Sequence, residues 1–269
     1  MNITKILDCF SDDKLMKSPS NRRESFSNFG QIGKILALAA IPYGLSSLSN
    51  KSYAADTTPT PSTPIGALQL ALTLEYLENE FYQMGLSSGV IPASENGGRD
   101  LKVFQQIALH ESDHVAFLIA GLGGTASVNF VAKPTFDFTA GGLFNPFNDY
   151  QQFLALAQAF EDTGVRAYKG QATNLISTPN LLTAALQIHS VEARHASEVR
   201  RLRGQKGWII GNDRGGLPVQ AQATYNGEEN VSQAGYNTST LFGLNAGTEA
   251  FDEPLTTQQA VNIANLFIV

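Results

Sequence analysis

Two short patterns in this sequence could do chemistry: Glu111-Ser112-Asp113-His114 and Glu192-Ala193-Arg194-His195. Each is a Glu-x-x-His inside a stretch that reads as helix. At ~100° per residue, positions i and i+3 lie about 60° apart, so each pattern projects a carboxylate and an imidazole from one face. Such a pair is a natural half-site for a transition metal. Two more carboxylates, Glu75 and Glu161, stand alone in the middle of apolar stripes. A carboxylate there is costly unless a proton, a cation or a metal neutralises it. Cys9 is the only cysteine, so no intrachain disulfide framework and no thiolate metal site can form. A metal here would be held by oxygen and nitrogen alone.

The elements that must position these groups are four helices. The first runs from Ile65 to about Gly89, with a stripe of Leu68, Leu72, Glu75, Asn79, Tyr82 and Leu86. Glu78 lies on its flank and reads as either a helix-flank charge or an extra carboxylate at the site, the flank charge being the simpler reading. The second runs from about Gly98 to Ala120, with Phe104, Ile107, Glu111, His114, Val115, Leu118 and Leu122 on one face; Asp113 points outward, and His110, at the stripe's edge, reads as structural or solvent-edge. Gly121, Gly123 and Gly124 end it. Thr125 to Asn148 carries no sustained period. A loop that long suits the crossover between the second and third helices of a bundle. The third helix spans about Asp149 to Leu175, centred on Glu161 with Tyr168 following. The fourth spans Pro179 to about Arg203, with His189, Glu192 and His195 on its inner face. The halves echo one another: a helix with a lone Glu and a later Tyr, then a helix with Glu-x-x-His.

For the side residues the structural readings are plain. Tyr82 and Tyr168 read as core packing with a polar tip, or as donors to ligand carboxylates. His189 reads equally as a satisfied core histidine or as a partner of a ligand. Beyond about Arg203, residues 205–269 are Gly/Asn-rich until about Gly247. An irregular wrap is expected there, then Asp252-Glu253-Pro254-Leu255 leading into a short apolar helix to Ile268.

The first 54 residues differ in kind. Asn21-Arg22-Arg23-Glu24-Ser25-Phe26 precedes a mildly apolar run, Ile32 to Leu48, then a small-x-small site ending at Ala54. This is the form of a secretory signal, and the paired arginines suggest the twin-arginine route. Gly33, Pro42 and Gly44 interrupt the run, which falls short of the ~20 apolar residues of a spanning helix. The expectation is an exported chain, periplasmic or extracellular, with no membrane span in its mature form. Cleavage would remove seven Lys/Arg and four Asp/Glu, leaving 18 − 7 = 11 basic and 24 − 4 = 20 acidic residues, net −9. Already at −6 for the whole chain, the charge argues against nucleic acid as a partner. Residues 55–64 form a Thr/Pro-rich linker, expected to be extended and poorly ordered.

The two Glu-x-x-His patterns, the lone glutamates, Leu74-Glu75-Tyr76-Leu77-Glu78 and Phe251-Asp252-Glu253-Pro254-Leu255 resemble the ferritin-like superfamily. Within it the chain is similar to the exported ferritin-like domain family that includes desiccation-related proteins. The resemblance covers residues 65–204 and much of the rest. It implies an all-α, ferritin-like four-helix bundle holding two Fe or Mn ions. Glu111 and Glu192 would bridge the ions, Glu75 and Glu161 would each cap one, and His114 and His195 would each complete one. Such a centre would oxidise Fe(II) or remove peroxide, with oxygen or peroxide as the small partner and a homo-oligomer as a further expectation. The alternative is a non-enzymatic stress or desiccation-related protein with a metal-stabilised or empty bundle. The long loop and tail argue against a closed storage cage.

Overall fold

A computed structural model of the 269-residue chain describes residues 57–94 and 98–269, of Leu241 only the backbone. The expected export signal lies outside the described residues. Four long helices dominate: α1 (Pro64–Ser88), α2 (Arg99–Gly121), α3 (Tyr150–Leu175) and α4 (Pro179–Leu202). Their ends follow from local chemistry. Thr63 caps α1 by accepting from the Gly66 amide, and Pro64 opens the helix where its missing N–H is no loss. Asp149 caps α3 by accepting from the amides of Gln151 and Gln152. Arg200 and Arg201 occupy the last turn of α4, where positive charge suits the helix dipole.

α1 packs against α2 and α3 against α4, giving two antiparallel hairpins, and α1 lies along α3 to join them. The crossover between α2 and α3 has no helix of its own. It is clasped by the chain's last residues: the Asp137 amide donates to the Phe267 carbonyl (2.8 Å), the Val269 amide to Thr135 (3.0 Å), and Phe136 bridges antiparallel to Ile268. Phe138 and Phe144 of the crossover thereby enter the main core beside Phe81, Phe153, Phe160 and Phe267.

The tail departs from expectation in detail. It does wrap the bundle, but it carries a 3-10 turn (Val219–Thr224), a two-residue β1–β2 hairpin (Ser232–Gln233 with Tyr236–Asn237), α5 (Thr238–Phe242) and α6 (Leu244–Glu249). The last helix, α7, spans Thr257–Ala264: it starts on a Thr256/Gln259 capping box just after the Asp252–Leu255 segment and ends short of Ile268. It buries Ala260, Val261 and Ala264 against Leu70, Leu74 and Ala167. The described part of the linker is also pinned. The Thr57 amide donates to Asn265 Oδ1 (2.9 Å) and Asn265 Nδ2 returns a bond to the Thr57 carbonyl (3.1 Å). A Thr/Pro composition predicts a free segment only while nothing nearby offers it partners. Among the described residues, no helix is long and apolar enough to cross a membrane.

Candidate metal centre

All six sequence-predicted ligands meet between the four helices. α1 contributes Glu75, α2 Glu111 and His114, α3 Glu161, and α4 Glu192 and His195. The four carboxylates are fully buried, His195 is nearly so, and His114 is half-buried. Two sets form. Glu75, Glu111, His114 and Glu192 offer one ligand atom each within 4.8 Å of one another, and so do Glu111, Glu161, Glu192 and His195.

The two sets share Glu111 and Glu192, and the distances show how. His114 Nδ1 lies 3.2 Å from Glu75 Oε2, 3.1 Å from Glu111 Oε2 and 3.0 Å from Glu192 Oε1. His195 Nδ1 lies 2.9 Å from Glu111 Oε1, 3.4 Å from Glu161 Oε2 and 3.2 Å from Glu192 Oε2. Each shared carboxylate therefore turns one oxygen to each imidazole. One ring nitrogen carries at most one hydrogen, so it cannot satisfy three oxygens. Glu111 Oε1, Glu161 Oε2 and Glu192 Oε1 are buried with no well-aligned hydrogen bond, even though imidazole nitrogens lie close to them. Orphaned buried carboxylate oxygens converging with imidazole nitrogens are the donor set a pair of hard-to-borderline cations requires, so the residues fit such ions.

The electrostatics follow from this crowding. Burial raises Glu111, and it raises Glu161 to about 7. Burial also works to raise Glu192, but hydrogen bonds from His114 and His195 overrule it and hold Glu192 at about 2. Both imidazoles resist burial because carboxylates surround them. Glu75, Glu111 and Glu192 drive His114 far above its ordinary range, and Glu161, Glu111 and Glu192 push His195 up to about 12.

The tyrosines do more than pack. Tyr82 of α1 donates its hydroxyl to Glu161 Oε1 of α3, and Tyr168 of α3 donates to Glu75 Oε1 of α1. The exchange is reciprocal because both offsets match: 161 − 75 = 86 and 168 − 82 = 86. That same offset locates a break in the symmetry. Glu78 pairs with Gly164, and a Cβ on Gly164 would sit 3.0 Å from Glu78 Oε1. Glycine there leaves room for the Glu78 side chain. Glu78 is therefore no flank charge: it is 2 % exposed, and burial followed by the negative charges of Glu161 and Glu192 raises its carboxyl well above the ordinary range. It still falls outside both four-residue sets.

His110 is half-buried at the edge of the site, with a contact that the helical pattern does not show. Its ring stacks on His195 with centroids 5.1 Å apart, and its Nδ1 lies 2.9 Å from His195 Nε2. With His195 Nδ1 committed to the carboxylate side, Nε2 keeps its hydrogen and donates to His110, which fixes the His195 ring. The Gln106 amide group, 2.8 Å from His110 Nε2, continues the line to the surface. No helical pattern reveals this pair, because it joins α2 to α4. His189 is half-buried: burial holds its pKa below the ordinary imidazole value, the Val165 backbone opposes this, and its Nδ1 is buried without a hydrogen-bond partner.

With the geometry in hand, comparison with known proteins is direct. The family model described as "Ferritin-like domain" matches residues 63–205, a little over half of the 269. The chain belongs to the ferritin-like domain family. The match begins at the cap of α1 and ends just past α4, so it contains all six converging residues. No characterised protein in the curated set matches this chain.

Proposed function

We propose that this chain is an exported ferritin-like protein whose Glu75, Glu111, His114, Glu161, Glu192 and His195 hold two Fe or Mn ions and which oxidises Fe(II) or removes peroxide. One observation carries the reading: Glu111 and Glu192 each present one oxygen to the His114 side and the other to the His195 side. Four ligand carboxylates carry −4 and two divalent ions +4, so a pair of such ions, with both imidazoles neutral, balances the set. When bound, the pair supplies open coordination positions and one-electron steps for dioxygen or peroxide.

The protein's own groups do the rest. Tyr82 and Tyr168 hold Glu161 and Glu75 at one oxygen each, leaving the second oxygen of each carboxylate for an ion. His110 fixes the His195 ring from behind. Glu78 adds a carboxyl that the ions do not need for charge balance, and burial pushes its pKa well above the ordinary carboxylate range. Export and the twin-arginine route draw on the sequence of residues 1–54, and the desiccation-related branch on the two Glu-x-x-His patterns, the lone glutamates and Phe251-Asp252-Glu253-Pro254-Leu255.

Metal analysis of the purified mature protein tests this. Two Fe or Mn per chain are expected after reconstitution, and fewer than one would remove the di-metal reading. A non-enzymatic role, an ion-stabilised stress or desiccation-related protein, draws support from the complete burial of Glu75, Glu111, Glu161 and Glu192. It predicts tight metal binding with no ferroxidase or catalase rate above that of free metal.

A further inference from the structure

The two ends of the bundle are packed differently. At the end where α3 begins, Tyr82 stacks on Phe104 (centroids 5.8 Å) and meets Phe153 edge-on (6.3 Å), with Phe81 and Phe153 stacked at 4.8 Å behind it. The ring is enclosed. At the opposite end its counterpart Tyr168 borders a cavity whose walls mix alanines, among them Ala71 and Ala184, with larger side chains such as Leu118, Leu181 and Ile188. Its volume is about 20 Å³, counted as positions open to the centre of a water-sized sphere. About 10–15 Å³ on that measure is enough for one small molecule.

The chemistry of the walls selects the occupant. Two polar side chains border the cavity, Tyr168 and Gln171, and both are spoken for. The Tyr168 hydroxyl donates to Glu75 Oε1; Gln171 donates to Thr257 Oγ1 (3.0 Å) and accepts from Asn174 Nδ2 (2.8 Å). A buried water needs two to four polar partners, and an apolar cavity of this kind stays dry and takes up apolar molecules instead. The position of the cavity gives it a neighbour. Tyr168 separates it from Glu75, Leu118 lies one turn beyond His114, and Ile188 one turn before Glu192. It therefore adjoins the Glu75–His114 set and not the Glu161–His195 set. Half-buried Ala184 and Ala185 form its outer rim.

We infer that this cavity binds a dioxygen-sized apolar molecule and delivers it to the Glu75–His114 side of the centre. The binding depends on the cavity alone; the delivery rests on the di-metal reading. Crystals of the protein pressurised with xenon test the first part. A xenon site beside Tyr168 is expected in the wild type, lost in Ala184→Phe at the rim and in Ala71→Leu inside; the rim variant keeps the test open if the inner one fails to fold. Absence of xenon from the wild-type cavity, or an undiminished xenon site in Ala184→Phe, overturns the proposal. The second part is read from dioxygen consumption by Fe(II)-loaded protein. Ala184→Phe should slow it at unchanged metal content, and an unchanged rate overturns delivery. Xenon bound by a protein that takes up no metal would leave the cavity standing and remove the di-metal reading.

Discussion

Glu111 and Glu192 each face two imidazoles, whereas Glu75 and Glu161 each face one. Replacing a shared carboxylate should therefore weaken both ions, and replacing an unshared one should weaken a single ion. Calorimetric titration with Mn(II) separates these outcomes: Glu192→Gln is expected to degrade both binding steps and Glu75→Gln only one. Equal effects from the two variants would contradict the shared arrangement. The imidazoles set the pH dependence. The pKa of His195 rises from 6.5 to about 12 in the fold, so its stabilising charge is fully present below 6.5 and is lost as pH climbs toward 12. A metal must displace that proton, so loading at neutral pH releases protons and affinity grows with pH. Titrations in buffers of different ionisation enthalpy would count them, and a count of zero would be decisive against this account. Glu78 works in the opposite sense to a paired carboxylate. Its pKa is raised above 4.5, so its protonated form contributes stability below 4.5 that is lost as pH rises. Metal-free Glu78→Gln should match the wild type in acid and gain in melting temperature as pH increases. The convergence of Glu75, Glu111, His114, Glu161, Glu192 and His195 is legible because each sits at the centre of a helical stripe. Glu78 is not, since one turn beyond Glu75 it falls on the stripe's edge; the signal missed is the glycine at its symmetry-related position.

At the scale of elements, α3 holds both the centre and the tail. Arg166 ion-pairs with Glu228 (2.6 Å), and its guanidinium also donates to the Thr224, Asn226 and Glu253 carbonyls. Both partners are 1 % exposed. Arg166→Met would strand Glu228 in the interior, a loss of about 3–5 kcal/mol for a broken buried pair. Urea unfolding would measure it, and adding Glu228→Leu should recover part of the loss. Nearby, Asp162 accepts from Arg200 Nε (3.2 Å) and from Tyr225 (2.8 Å), tying α4 and the 3-10 turn to α3. Gly170 lets the chain pass: a Cβ there would lie 1.8 Å from the Leu255 carbonyl oxygen. Gly170→Ala is expected to cost about 1–3 kcal/mol as overpacking does, with faster proteolysis of the last helix. The long helices could be read to within a residue or two, because caps and stripes are local. The short tail elements could not, because Arg166, Asp162 and Gly170 on α3 determine where that chain runs.

For the whole molecule, the proposed ion binding and folding would be one equilibrium, since the six converging residues come from four helices and meet only in the folded state. Free metal at about a thousand times the dissociation constant should add about 4 kcal/mol per site. The melting temperature should rise with metal and fall back on chelation; insensitivity to both would mean the cluster holds no ions. The unlike packing of the two bundle ends has a dynamic consequence. Interlocked aromatic rings resist local opening, while side chains that border a void give way more readily. Amide hydrogen exchange along α3 should therefore form a gradient, slowest near Phe153 to Phe160 and fastest toward Gln171 and Leu175. One continuous helix would thus have a rigid half and a breathing half, with Glu161 near the boundary.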